Sequence, residues 1–352
     1  MRLLAALVTL AAAVLLAPAA NATNDTYWKY QWGSKQLHAP QAWAKSRGVG
    51  QQVAIVDSGI DRSHPDLANK VAGGVTFIGC ANKPTGCGNG DWKSGGAAAG
   101  APDPHGTHVA GTVAAVTNNS RGVAGVAPAA RLLAVKSLGE VGGSFEEIAA
   151  GIRWSVNHGA DVINLSLGAD PGTQALTFTG VVSDVQRAIR YARSKNVVVV
   201  AAAGNEFASP LCDTPAFDEG ALCVVATDPN ELKASYSNLA VNPGLDAVAA
   251  PGGSGTLFCE DDIISTVPLA AENGFCEDDL GTNGYDFYAG TSMATPHVSG
   301  VAALLRAQGK SATKTIAQLE STARTPGAGT RGTYTPVYGY GMVDAAAAVA
   351  RK

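Results

Sequence analysis

Four short apolar runs, each separated from the next by a stretch with helical spacing, restrict this chain to few folds. Val53-Ala54-Ile55-Val56, Leu132-Leu133-Ala134-Val135, Val162-Ile163-Asn164-Leu165 and residues 197–203 are near-continuous rather than alternating. Such runs are the mark of strands buried on both faces. Between them, 106–115, 144–158 and 181–194 read as helices, and Ser144 with Glu147 gives the second a capping box. Two further strands fall near 223–226 and 247–250. The alternation implies right-handed crossovers and a single α/β domain with a mostly parallel, doubly wound sheet flanked by helices. Chemistry in such sheets gathers at the carboxyl ends of the strands. Asp57, Ser166 and Asn205 fall there.

A chain of 352 residues, 46% hydrophobic and 15% charged, can bury a full core and is not disordered. Its net charge of −4 gives no reason to expect nucleic acid or an anionic membrane as partner. Arg2, the apolar run 3–16 and the small residues after it read as a secretory signal peptide, with cleavage after Ala19 or, in preference, after Ala22. No later stretch is long enough to span a bilayer. An exported, soluble, monomeric protein occupying 23–352 is therefore expected, its polar and aromatic residues 23–43 forming an arm over the domain. Six cysteines in an exported chain suggest disulfides. Fifteen pairings are possible; the sequence-local couples favour Cys80–Cys87, Cys212–Cys223 and Cys259–Cys276. No C-x-x-C or Cys/His cluster supports a metal there.

Ala289-Gly290-Thr291-Ser292-Met293-Ala294-Thr295-Pro296-His297-Val298-Ser299-Gly300 organises the rest of the chain. Gly290 permits a tight entry, Ser292 lies on the first turn of a helix, and Val298, Val301, Leu304 and Leu305 form its apolar face. Backbone N–H groups without partners there favour an oxyanion nearby. Alone, the Thr-Ser pair is an ordinary N-cap, and Pro296 fits a helix start. Likewise, His105 and His108 are spaced three apart but match no H-E-x-x-H motif. Taken together, Asp57, His105 and Ser292 supply orienter, general base and nucleophile. The Asn205 side chain and the Ser292 N–H are candidate oxyanion donors.

With these residues the chain resembles the subtilisin-like serine proteases, the subtilases, whose triad runs in the order Asp–His–Ser. The resemblance extends through Ala39-Pro40-Gln41-Ala42-Trp43, 53–61, 105–111, Ser166-Leu167-Gly168, Ala202-Ala203-Gly204-Asn205, 290–300 and 339–344. It implies an endopeptidase acting on proteins or peptides, with Asp57, His105 and Ser292 as triad, Asn205 in the oxyanion hole and His108 structural. Ser166, Leu167 and Gly168 would be the edge along which an extended peptide adds as a strand. Thermitase-like members are most similar: residues 116–123 resemble their calcium loop. Carbonyls of Val116, Arg121 and Val123, the Asn119 side chain, Asp66 and Asp25 would form an oxygen-only shell for structural Ca²⁺. Without the resemblance, Asn118-Asn119-Ser120 is an ordinary turn. No organic cofactor is expected.

Two features depart from the family pattern. The catalytic resemblance starts close behind the signal peptide, which leaves no room for a folded pro-segment. Cysteine-bearing loops also occupy 79–104 and 258–286, the latter rich in acids that are either solvated or a rim or cation site. The family's side-chain pocket lies between Ser166–Gly168 and Ala202–Gly204. Its far end comes just before Pro215-Ala216, which puts Asp213 at or near the floor and Glu206 at the rim. Two outcomes are open: a taste for Lys or Arg, or, if Asp213 turns to solvent, a broad apolar pocket for Phe, Tyr or Leu. Rival readings are a silent binding module on a protease fold and an α/β-hydrolase esterase. The esterase requires G-x-S-x-G and the order Ser–Asp–His, and neither occurs.

Overall fold

The structure, a computed structural model, describes residues 23–78, 103–139, 142–169, 183–207, 209–271, 276, 280 and 284–351. The signal-peptide reading of 1–22 and the Cys80–Cys87 link lie outside them. In chain order the strands are β1 (Gln52–Asp57), β2 (Val71–Thr76), β3 (Arg131–Lys136), β4 (Val162–Leu165), β5 (Val198–Ala202), β6 (Ala221–Thr227), β7 (Ala247–Pro251), β8 (Ile263–Thr266) and β9 (Tyr285–Tyr288). The helices are α1 (Trp32–Gln36), α2 (Ala39–Ala42), α3 (His105–Ala114), α4 (Phe145–Asn157), α5 (Asp184–Ser194), α6 (Thr291–Arg306), α7 (Ala312–Thr322) and α8 (Ala345–Ala350).

Strands β1–β7 form one seven-stranded sheet, all pairs parallel, in the order β2-β3-β1-β4-β5-β6-β7. From β1 the chain passes to β2 at the sheet edge, comes back to β3 between them, and then crosses to the other side of β1 to wind outward through β4, β5, β6 and β7. The crevice at this reversal is where an open α/β sheet binds ligands. Successive side chains of each strand enter opposite cores. Val53 and Ile55 pack with Val109, Val113, Val298 and Leu304 of α3 and α6. Ala54 and Val56 pack with Ile148 and Ile152 of α4 and Val185 and Ile189 of α5. Both faces being covered, the strands read as continuous apolar runs.

Helix caps follow the sequence. Ser144 and Glu147 exchange bonds at the start of α4, and Ser183 accepts from the Gln186 N–H at the start of α5. The sixteen-residue α6 is buried nearly throughout, as its unbroken small and apolar character requires.

The arm 23–43 lies over the domain as expected, and it contains α1, α2 and a 3₁₀ turn at Trp28–Tyr30. It is pinned by Gln31 Nε2 on the Ala124 carbonyl (2.8 Å), Trp43 Nε1 on that of Val126 (2.9 Å), and Tyr27 edge-on to Tyr285. Residues 258–286 are not simply a loop, because β8 lies within them and pairs antiparallel with β9. The apolar sides of these strands cover the Cys259–Cys276 link, with Ile264, Tyr285 and Phe287 around it. Edge strand β2 was also missed, its Ala-Gly-Gly interior hiding the strand pattern. Cys212–Cys223 and Cys259–Cys276 are both bonded as expected. Among the described residues, no helix is long and apolar enough to cross a membrane.

Candidate active site

Asp57 ends β1 and is fully buried. Its Oδ1 accepts from His105 Nδ1 and from the Ser58 N–H, both at 2.7 Å. His105 opens α3, and the helix can come this close to β1 because its second residue is Gly106. A Cβ at Gly106 would sit 2.2 Å from the Gly59 carbonyl oxygen and 3.1 Å from Asp57 Oδ1. Two residues missed in the sequence lock this corner. Asp103 Oδ1 accepts from the His105 N–H (2.9 Å) and the Ser58 hydroxyl (3.0 Å), and the Ser58 oxygen accepts from the Gly106 N–H (3.0 Å). The readable signal was an acid immediately upstream of a helix-opening histidine.

Burial by itself would lower the His105 pKa, but the Asp57 charge and hydrogen bond, with Asp103 adding, outweigh it. The imidazole therefore titrates above its ordinary value of 6.5. About a third of the His105 side chain remains exposed, facing the cleft. His108 is its opposite. It is fully buried, Nε2 bonds the Ile263 carbonyl (2.8 Å), its ring stacks on Tyr288 at 4.6 Å, and burial drives its pKa down to about 3. It packs and does not titrate near neutrality.

Ser292 lies in the first turn of α6. Among the described residues no acceptor faces its N–H. Its hydroxyl donates to the Ser166 carbonyl at 3.2 Å rather than to His105. Pro296 is inside α6 rather than at its start. A proline at 296 cannot donate the ladder bond to the Ser292 carbonyl, and the Ser166 hydroxyl donates to it instead, at 2.8 Å. Ser166 is held in turn by Asn164 Nδ2 (2.9 Å), whose Oδ1 accepts from Ser299 (2.8 Å). Asn205, just beyond β5, accepts at Oδ1 from the Thr291 N–H and hydroxyl, both at 3.0 Å. That leaves Asn205 Nδ2 as the free end, beside Gly290.

Leu167, Gly168, Ala202, Gly204, Asp213 and Ser292 line a pocket of about 230 Å³. Ala203 is buried behind it, its carbonyl accepting from the Asp213 N–H (2.8 Å). A wider cleft of about 750 Å³ runs alongside, between His105 and Ser166 on one wall and Gly143–Phe145 on another.

The residues expected around a cation also converge. Asp66 is fully buried and Asp25 nearly so. Asp66 accepts from Asn119 Nδ2 (2.6 Å) and the Val123 N–H (2.9 Å), and Asp25 from the N–H groups of Asn118 and Asn119 (both 3.1 Å). Among the described residues no donor reaches the carbonyls of Val116, Arg121 or Val123. Two buried carboxylates and three such carbonyls are an oxygen set that fits Ca²⁺. Asn119 presents its amide nitrogen to Asp66 while its Oδ1 accepts from the Arg121 N–H (2.9 Å), so it joins that set only with the amide turned.

Known proteases resemble this chain over most of its length. The profile of the subtilase family matches residues 48–341. Thermitase from Thermoactinomyces vulgaris is 41% identical over 302 residues, 85% of this chain and 91% of the relative. Subtilisin BL from Lederbergia lenta is 39% identical over 321 residues, 90% and 97% respectively. Among solved structures, a protease from Pseudoalteromonas arctica superposes with a TM-score of 0.77 at 35% identity, covering 93% of this chain and 98% of the other.

Proposed function

This chain belongs to the subtilase family and is a serine endopeptidase; from that premise we propose that Asp57, His105 and Ser292 carry the reaction, with Asn205 and the Ser292 N–H binding the oxyanion. The observation that carries the assignment is the 2.7 Å bond from His105 Nδ1 to a fully buried Asp57. It fixes the tautomer in which Nε2 is free to accept a proton.

As Ser292 Oγ attacks the substrate carbonyl carbon, His105 Nε2 takes its proton and Asp57 stabilises the imidazolium. The carbonyl oxygen gains charge and is met by Asn205 Nδ2 and the Ser292 N–H. Collapse breaks the C–N bond, and His105 passes the proton to the leaving amine. Water then attacks the acyl-enzyme with His105 again as base, releasing the acid and restoring Ser292. The hydroxyl first swings from the Ser166 carbonyl to His105, a looseness expected without substrate. Ser166, Leu167 and Gly168 would pair with the substrate backbone, and the pocket containing Ala202, Ala203, Gly204 and Asp213 would take the side chain before the scissile bond.

Further parts of this reading are that residues 1–22 direct secretion and that 23–352 act as a monomeric peptidase domain. A third disulfide would join Cys80 and Cys87. When bound, Ca²⁺ would supply charge compensation to Asp25 and Asp66, with Val116, Asn119, Arg121 and Val123 completing its shell. A serine-directed fluorophosphonate should label the wild type and not Ser292→Ala, with loss of peptidase activity in parallel. Labelling that survives in Ser292→Ala would sink the assignment.

A further inference from the structure

We propose that the pocket beside Ser292 selects Lys or Arg as the residue preceding the scissile bond, through the carboxylates of Asp213 and Glu206. This rests on the reading of Ser292 as nucleophile and of that pocket as the side-chain site.

The walls are narrow in side chain and open in space: Gly168, Ala169, Ala202 and Gly204 contribute almost nothing beyond backbone. A long guest can therefore pass between them to the floor. Asp213 is that floor, with 2% of its surface exposed. A Cβ built on Gly204 would lie 2.2 Å from Asp213 Oδ2 and 2.6 Å from Glu206 Oε2; one built on Gly168 would lie 3.2 Å from the same Asp213 oxygen. The Asp213 carboxylate thus comes up between the two walls, and the Glu206 carboxylate reaches Gly204 from the exposed mouth. Gly204 is required there, both for the space and for its φ of +105°.

Neither acid is placed by a loose loop. The Asp213 N–H donates to Ala203 and its carbonyl accepts from Phe217, both at 2.8 Å. The preceding Cys212 is bonded to Cys223 on β6. The disulfide loop therefore turns Asp213 into the pocket, not to solvent. Glu206 is held by Asn238, whose Oδ1 accepts from the Glu206 N–H at 3.0 Å while Nδ2 donates to Oε2.

The two acid oxygens are at most about 5 Å apart, near enough for one cationic head group to reach both. An apolar guest would bring no polar contact to either carboxylate. An ammonium or guanidinium at the end of a flexible stem would meet both carboxylates and fill the narrow section with methylenes. Specificity then comes as much from rejecting Phe as from accepting Lys.

The test is kcat/KM on matched peptide anilides ending in Lys, Arg, Phe or Leu, for wild type, Asp213→Asn and Glu206→Gln. The wild type should favour Lys or Arg over Phe by about tenfold or more. In Asp213→Asn that ratio should fall at least about tenfold, with Phe turnover rising and so reporting folded enzyme; Glu206→Gln should lower the ratio less. A wild-type preference for Phe, or a Lys/Phe ratio unmoved in Asp213→Asn while Phe is still cleaved, overturns the proposal. If no substrate is cleaved and no fluorophosphonate attaches to Ser292, the nucleophile reading has failed, and this proposal with it.

Discussion

Ser166 and Ser292 are joined twice: the Ser166 hydroxyl donates to the Ser292 carbonyl at 2.8 Å, and the Ser292 hydroxyl donates to the Ser166 carbonyl at 3.2 Å. The first bond replaces the one Pro296 cannot make, so the backbone of the proposed nucleophile is held by the strand-end that would also hold substrate. Ser166→Ala removes the donor and leaves a carbonyl unsatisfied, which costs about 1–3 kcal/mol. A lower melting temperature and a reduced kcat are expected together. Full kcat in that variant would show that the bond has no part in positioning Ser292.

The two bonds from Thr291 to Asn205 Oδ1 leave Nδ2 as the end of the amide that would meet the oxyanion. Asn205→Leu should reduce kcat about 10²–10³-fold with little change in KM. Thr291→Val keeps the backbone donor and loses the hydroxyl, so a smaller kcat loss is expected. If Asn205→Leu raised KM and left kcat intact, the side chain would serve binding and not the oxyanion.

His105 must be neutral to accept a proton, and its pKa lies above 6.5 because Asp57 outweighs burial. Activity should therefore fall on the acid side with a midpoint above pH 6.5. Asp57→Asn removes the charge that raises it: the midpoint should move to lower pH, while kcat drops about 10⁴-fold. A wild-type profile flat to pH 5 would exclude His105 as the base.

Much of this was legible. The sheet is readable because each strand is covered on both sides, so Val53 and Ala54 are both apolar although they enter different cores. Asp57, His105, Asn205 and Ser292 are readable because each sits at a strand end or helix start. Strand β2 is not, since an edge strand need not be apolar throughout and Gly73-Gly74 breaks the pattern. The β8–β9 pair is masked by the acids flanking Cys259. Asp103 and Ser58 were missed for another reason: they act through His105 and Gly106, and contacts of that kind exist only after folding.

Calcium at Asp66 and Asp25 should stabilise the folded chain by mass action, since the shell is assembled only there. At a hundred times Kd the gain is about 2.7 kcal/mol. Chelation should lower the melting temperature and speed autolysis, and Asp66→Ala should abolish the difference between chelated and loaded protein. Identical melting curves with and without chelator would remove calcium from the account.

Asp246, which precedes β7, shares a hydrogen bond with Glu320 on α7. Burial raises both carboxyls; the charge and hydrogen bond of Asp246 raise Glu320 further, to about 8, while Arg193 and the hydrogen bond from Glu320 offset part of the rise at Asp246. The native state therefore keeps a proton that the unfolded chain, with an ordinary Glu near 4.5, has released. Where the native state binds more protons, stability falls as pH rises. The window runs from about pH 4.5 to about pH 8. Glu320→Gln removes this titration and keeps the shape. Measured in a Ser292→Ala background to prevent autolysis, its denaturation midpoint should match its parent near pH 4.5 and exceed it increasingly up to pH 8. A constant offset between the two proteins across that range would mean that Glu320 does not titrate there.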